Sequence, residues 1–214
     1  MSIIHQLRCR VADLRGRGVY AGWPNQHQAI FIHLPKTAGS SISKGLGLST
    51  SRHVPAADYR KTNPAKFARF FKFAFVRNPY DRLVSSYAFL MGGGMNSDDA
   101  LFAEAHVRPY DNFEHFIMEG LSHQSEIQAW VHFRPQVAFV CDAAGRNLMD
   151  FTGRFERLTA DYDHISKRLG QPRDLPVTNT SRRGDYREAY TPATIDIVRR
   201  LYTSDLENFE YGFD

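Results

Sequence analysis

Cysteine is almost missing from this sequence: Cys9 and Cys141 are the only two in 214 residues. Without C-x-x-C spacing or clustered histidines they form neither a disulfide framework nor a zinc site, and they suit a reducing, cytoplasmic compartment. Long apolar runs are also missing. No stretch of about 18 apolar residues exists to span a bilayer. No low-complexity or linker-like tract divides the chain, so one domain over residues 1–214 is expected, with residues 1–28 as an N-terminal helix and lead-in. The net charge of +4 favours anionic ligands, but the basic residues are scattered among acids and no recognisable nucleic-acid motif is present. Nucleic acid is not an expected partner. Neither the Walker pattern G-x-x-x-x-G-K-[ST] nor an acidic pair following a strand occurs, and no metal is expected.

What is present is the composition of a soluble globular protein, with 43% apolar and 23% charged residues. Its first informative stretch is Ala29-Ile30-Phe31-Ile32-His33-Leu34-Pro35-Lys36-Thr37-Ala38-Gly39-Ser40-Ser41. A short apolar run rich in β-formers passes through Pro-Lys-Thr-Ala-Gly into a helix beginning near Ser40. Strand, tight loop and helix place backbone N–H donors at the helix start, where an anion fits. Lys36 adds a point charge, Thr37, Ser40 and Ser41 add hydroxyls, and Gly39 permits close backbone approach.

A second junction follows about 40 residues later. Phe71-Lys72-Phe73-Ala74-Phe75-Val76 reads as a buried parallel strand. Directly after Arg77, Asn78 is a good N-cap, Pro79 suits the first helical position and Asp81 suits the positive end of the dipole. Tyr80, Leu83, Val84, Tyr87 and Leu90 form a core-facing stripe. Ser85 lies roughly two turns into this helix, near Arg82, so Arg77 and Ser85 are a candidate grip for a second anionic group.

Elsewhere, Ile3, Ile4, Leu7, Val11 and Leu14 recur at helical spacing among Arg8, Arg10, Arg15 and Arg17, which predicts an amphipathic helix packed on the core. Residues 49–55, carrying His53, lack periodicity and read as a loop. Residues 92–94, three glycines, end the preceding helix. Residues 136–141 and 148–155 read as strand, turn, strand, residues 161–169 as a helix, and Thr191-Pro192 as the start of a final helix. Strands alternating with helices predict an α/β fold with a mainly parallel sheet.

The two junctions together resemble the cofactor-binding motifs of the PAPS-dependent sulfotransferases, and are most similar to the branch of carbohydrate 2-O-sulfotransferases and small bacterial relatives. The resemblance continues through His132-Phe133-Arg134-Pro135-Gln136, Asp150-Phe151-Thr152-Gly153-Arg154-Phe155-Glu156-Arg157-Leu158, Asn179-Thr180-Ser181 and the closing residues 202–212. It implies a three-layer α/β/α fold akin to P-loop nucleotide kinases. It also implies the donor 3′-phosphoadenosine 5′-phosphosulfate, the product 3′-phosphoadenosine 5′-phosphate, and an acceptor hydroxyl on a carbohydrate, glycolipid or small molecule. Pro35, Lys36, Thr37, Ala38, Gly39, Ser40 and Ser41 would hold the 5′-phosphosulfate, Arg77 and Ser85 the 3′-phosphate, and the loop with Ser181, Arg182 and Arg183 would cover the cofactor.

Sulfuryl transfer needs a base, charge stabilisation on the moving group and support for the leaving phosphate. Lys36, the cation inside the loop, is the candidate for the leaving group. His53 is the favoured base because imidazole titrates near working pH and the carbohydrate branch carries a catalytic histidine at a similar place. His33 and His132 are its rivals. Asp150 and Glu156 read as ion-pair partners beside Arg154 and Arg157, and Arg52, Arg60, Lys61 and Arg108 as solvated charge or the lining of an acceptor groove. An ATP-dependent kinase, which would require Mg²⁺, and an idle anion-binding scaffold are the competing functions.

Overall fold

The structure is a computed structural model and describes residues 3–48, 52–171, 173–176 and 184–213. The chain divides into two compact units, one of Met1–Val76 with Gln136–Thr178, the other of Arg77–Pro135 with Asn179–Asp214.

The first unit is built on three parallel strands in the order β1-β2-β3: β1 (Ala29–Ile32), β2 (Phe71–Val76) and β3 (Phe151–Arg154). Ala29 pairs with Phe71, and Phe73 with Phe151, so the carboxyl ends of all three strands leave by one edge. Both faces of β1 and nearly all of β2 are buried, as parallel strands covered on two sides require. Around them lie α1 (Ile3–Leu14), α2 (Trp23–His27), α3 (Gly39–Gly45), α4 (Ala56–Thr62) and α5 (Pro64–Arg69). Phe31 stacks on Phe73 at 5.1 Å, and Ile42, Leu46 and Trp23 close that side of the core. The Trp23 indole N–H donates to the Leu46 carbonyl at 2.9 Å, giving its polar atom a partner inside the apolar cluster.

In the second unit, α6 (Pro79–Met91) starts as its sequence dictates, with the Asn78 side chain accepting from the Tyr80 N–H at 3.0 Å. Asn96 and Asn112 cap α7 (Ser97–His106) and α8 (Phe113–His115) in the same way. A π-helical segment, Phe116–Leu121, and α9 (Ser125–Ala129) follow. Tyr80, Leu83 and Leu90 of α6 are buried with Phe102, Phe116, Ile117, Leu121 and Phe133, while Val84 and Tyr87 are half-buried.

Back in the first unit, residues 137–140 depart from expectation. Val137–Val140 form one helical turn, α10, rather than a strand. A four-residue apolar run carries no usable period, and here Phe139 and Val140 are buried while the Cys141 N–H closes back on the Val137 carbonyl at 2.8 Å. Extended pairing at this point is limited to the antiparallel bridge between Cys141 and Asn147. The strand expected over residues 148–155 shortens to β3, and α11 (Leu158–Arg168) follows.

The chain closes in the second unit with α12 (Pro192–Leu201), opened by a Thr191–Thr194 capping box, and α13 (Thr203–Phe209). Of the loops read from sequence, residues 49–51 and 177–183 lie outside the described residues.

The α1 helix forms where predicted, but Val11 and Leu14 of its apolar stripe face solvent. Val11 is 40% and Leu14 85% exposed, and the residue that seats the helix is Asp13. Its carboxylate accepts from Lys66 Nζ and Asn63 Nδ2, both at 2.8 Å. Periodicity shows that a stripe exists, whereas the orientation is set by an ion pair 53 residues away in sequence.

Candidate active site

The Pro35–Ser41 segment begins two residues beyond β1, at the carboxyl edge of the parallel sheet, the edge at which open α/β sheets bind ligands. Lys36 and Ala38 both hold left-handed backbone, with φ of 67° and 65°. For residues bearing a Cβ this costs roughly 1–2 kcal/mol each, and such strain concentrates at ligand-binding turns. Thr37 is wholly buried and donates its hydroxyl to the Leu34 carbonyl at 3.0 Å, pinning the loop from below. Lys36 is half-buried, Ser40 exposed and Ser41 buried. The first intrahelical bond of α3 runs from the Ile42 N–H to the Ala38 carbonyl, so the N–H groups of Gly39, Ser40 and Ser41 belong to its opening turn.

Gly39 has a second reason to be glycine. A Cβ placed there would lie 1.8 Å from Cδ2 and 1.9 Å from Nε2 of His33, so the imidazole fills the space a side chain would need. The His33 ring stacks on Phe31 at 5.7 Å and meets the His53 ring at 4.4 Å. His53 Nδ1 lies 2.8 Å from the main-chain oxygen of His33. A carbonyl only accepts, so Nδ1 carries the hydrogen, and in the neutral ring the basic lone pair is then on Nε2. The first unit therefore brings together Gly39, His33 and His53. The signal for this cluster was the pair of histidines flanking the motif; the packing of His33 on Gly39 has no sequence signature.

In the second unit, Arg77 is nearly buried, and both Nε and Nη2 lie 2.7 Å from Asp81 Oδ2. The i,i+4 spacing makes this pair readable in the sequence, beside the place of Asp81 at the positive end of the helix dipole. Ser85 is buried on the same helix. Arg82, 1% exposed, donates through Nη1 and Nη2 to the carbonyls of His132 and Arg134 at 3.2 and 2.7 Å, and its guanidinium lies 5.8 Å from the Tyr202 ring centroid. His132 is buried as well, with Nε2 3.2 Å from Asp99 Oδ1 and its ring 4.9 Å from Phe89.

Asp150 pairs with Lys72, at 2.7 Å, and not with the neighbouring arginines. The Lys72 N–H also donates to it at 2.8 Å, fixing the approach to β3. Arg157 reaches Asp161 at 3.7 Å. Arg60 lies 3.8 Å from Asp142, Lys61 3.9 Å from Asp58 and Arg108 2.6 Å from Glu104, while Arg52 is exposed. Ser181, Arg182 and Arg183 lie outside the described residues. Among the described residues no cluster of three His, Cys, Asp or Glu side chains could hold a metal, and no helix is long and apolar enough to cross a membrane.

These features define an α/β protein with a strained, lysine-bearing loop opening a helix at the carboxyl edge of a parallel sheet. The chain belongs to the Sulfotransferase family, whose model matches residues 24–212. That match runs through both units and leaves α1 ahead of it. Neither curated proteins nor solved structures gave a match. The family assignment makes the chain a transferase of sulfuryl groups in general terms.

Proposed function

We propose that the protein transfers a sulfuryl group from 3′-phosphoadenosine 5′-phosphosulfate to an acceptor hydroxyl on a carbohydrate or glycolipid, with His53 as base and no metal. The two units are read as parts of one sulfotransferase domain, because a single family match runs through both. The observation that carries the reading is the cluster at the loop: a histidine with its Nδ1 hydrogen committed to the His33 carbonyl, beside the ring that rests on Gly39.

The residues present fit such a donor in kind. The opening turn of α3 supplies N–H donors, Ser40 and Ser41 supply hydroxyls, and Lys36 supplies a cation. Pro35, with no N–H, and Thr37, with its hydroxyl given to Leu34, shape the loop, and Ala38 and Gly39 contribute backbone. Arg77, steadied by Asp81, and Ser85 are assigned to the 3′-phosphate, and Ser181, Arg182 and Arg183 to covering the nucleotide. When bound, the donor supplies a sulfuryl group on a phosphate leaving group.

His53 Nε2 takes the acceptor hydroxyl proton as that oxygen bonds to sulfur and the sulfur–oxygen bond to the phosphate breaks. Lys36 offsets the charge that grows on the departing oxygen. Cys9 and Cys141, neither of them in a disulfide, suit the reducing cytoplasm of a bacterial-type member. The test is transfer of labelled sulfate from the donor to acceptor extracts, with the product then identified. Lys36→Ala should cut turnover severely, and near-normal turnover in that variant would remove Lys36 from the mechanism.

A further inference from the structure

The α1 helix presents to solvent two residues of the stripe that its sequence marks for burial. Val11 and Leu14, three residues apart and hence on one face, are 40% and 85% exposed, and Ile3, Ile4 and Leu7 continue their spacing in the sequence. The helix is seated instead through Asp13, about 100° around the axis from Leu14, whose carboxylate is 2% exposed and paired with Lys66 at 2.8 Å. Asp13 is the only acidic residue of residues 3–17. Its burial leaves Arg8, Arg10, Arg15 and Arg17, all exposed, as the charge of this segment, with no acid of the segment beside them at the surface. Arg8 and Arg10 flank the Val11 and Leu14 face on opposite sides.

We propose that α1 docks on an anionic lipid bilayer. Leu14 and Val11 enter the boundary between headgroups and acyl chains, and the flanking arginines meet lipid phosphates, the combination that holds an amphipathic helix in the interfacial plane. Charge decides between occupants. A second copy of the chain would bring the exposed arginines of two such segments together, whereas an anionic leaflet complements both the apolar and the cationic part. The stretch matched by the family starts at residue 24, so this surface is additional to the shared transferase domain and its test is independent of sulfuryl transfer.

The experiment is co-flotation of the full chain with vesicles of phosphatidylcholine alone and with phosphatidylglycerol added. Binding is expected to the anionic vesicles, little to the neutral ones, with a steep fall as salt rises. Leu14→Glu should weaken binding about tenfold or more without altering thermal unfolding, since the side chain is exposed. The Arg8→Gln, Arg10→Gln double variant should weaken it on the order of thirtyfold. Absence of flotation, or equal flotation with both vesicle types, would overturn the proposal. Two other results would also overturn it: unchanged binding by Leu14→Glu with retention on a soluble polyanion, meaning charge attraction alone, and a dimer in sedimentation that Leu14→Glu disperses.

Discussion

His53 donates its Nδ1 hydrogen to the main-chain carbonyl of His33 across 2.8 Å, and the side chain of that same His33 occupies the place a Cβ would take at Gly39. One residue thereby fixes both the tautomer of the candidate base and the backbone of the candidate anion loop. If Nε2 is the base, only the deprotonated ring can take the acceptor proton, so turnover should rise with pH. His53→Ala should lower turnover by about 10²–10⁴ and flatten that rise. A pH–rate profile of the variant that keeps the wild-type rise would transfer the role to another group. Nitrogen NMR of the ring gives an independent reading: the neutral form should carry its hydrogen on Nδ1.

Gly39→Ala should fail for a steric reason, because the new methyl meets the His33 ring at 1.8 Å. The expected cost is about 1–3 kcal/mol of stability, with at least a tenfold loss of nucleotide affinity. Adding His33→Ala makes room, so the double variant should regain stability relative to Gly39→Ala alone. Additive losses in denaturant unfolding would show that the contact is not the cause.

His132 is the rival base in the second unit, and its surroundings are those of a structural residue. It is 7% exposed, paired with Asp99 at 3.2 Å, and its carbonyl accepts from Arg82 and Ser86. His132→Ala should cost about 2 kcal/mol, lowering Tm by roughly 4–8 °C, while the folded fraction keeps the wild-type pH dependence. A variant of unchanged Tm that loses the pH-dependent rise would reverse the assignment.

Much of this arrangement is legible in the residues because it is local. The apolar run before Pro-Lys-Thr-Ala-Gly marks its own strand and loop, and Asn78-Pro79 after another run sets its helix start through capping and proline geometry. What the sequence hides is decided by distant partners. The outward turn of α1 depends on Lys66, the partner of Asp150 is Lys72 rather than an adjacent arginine, and α10 helicates because a four-residue apolar run fits either state. Arg82 is not part of the apolar stripe of α6, yet two carbonyls 50 and 52 residues away hold it inside.

Tyr59 gives a stability signature at alkaline pH. Burial pushes its phenol up from 10.0 to about 12. The folded state thus holds this proton more tightly than the unfolded chain, so its contribution is complete below pH 10 and is lost as pH rises towards 12. The loss amounts to about 2 kcal/mol. Tyr59→Phe, compared with the wild type by urea unfolding at pH 9 and pH 11.5, should show a smaller drop. Tyr20, edge-on to Tyr59 at 5.4 Å and also raised by burial, accounts for part of the slope that remains.

The central claim, a sulfuryl-transfer site built for a 3′-phosphorylated adenosine nucleotide without a metal, is tested most directly by thermal unfolding with 3′-phosphoadenosine 5′-phosphate in the presence of a chelator. Saturation at about a hundred times Kd adds about 2.7 kcal/mol, which for a chain of this size raises Tm by roughly 5–10 °C. That rise, abolished by Lys36→Ala or Arg77→Ala, is the predicted result. No shift with this nucleotide, together with a magnesium-dependent shift with ATP, would contradict the account and assign the loop to a kinase.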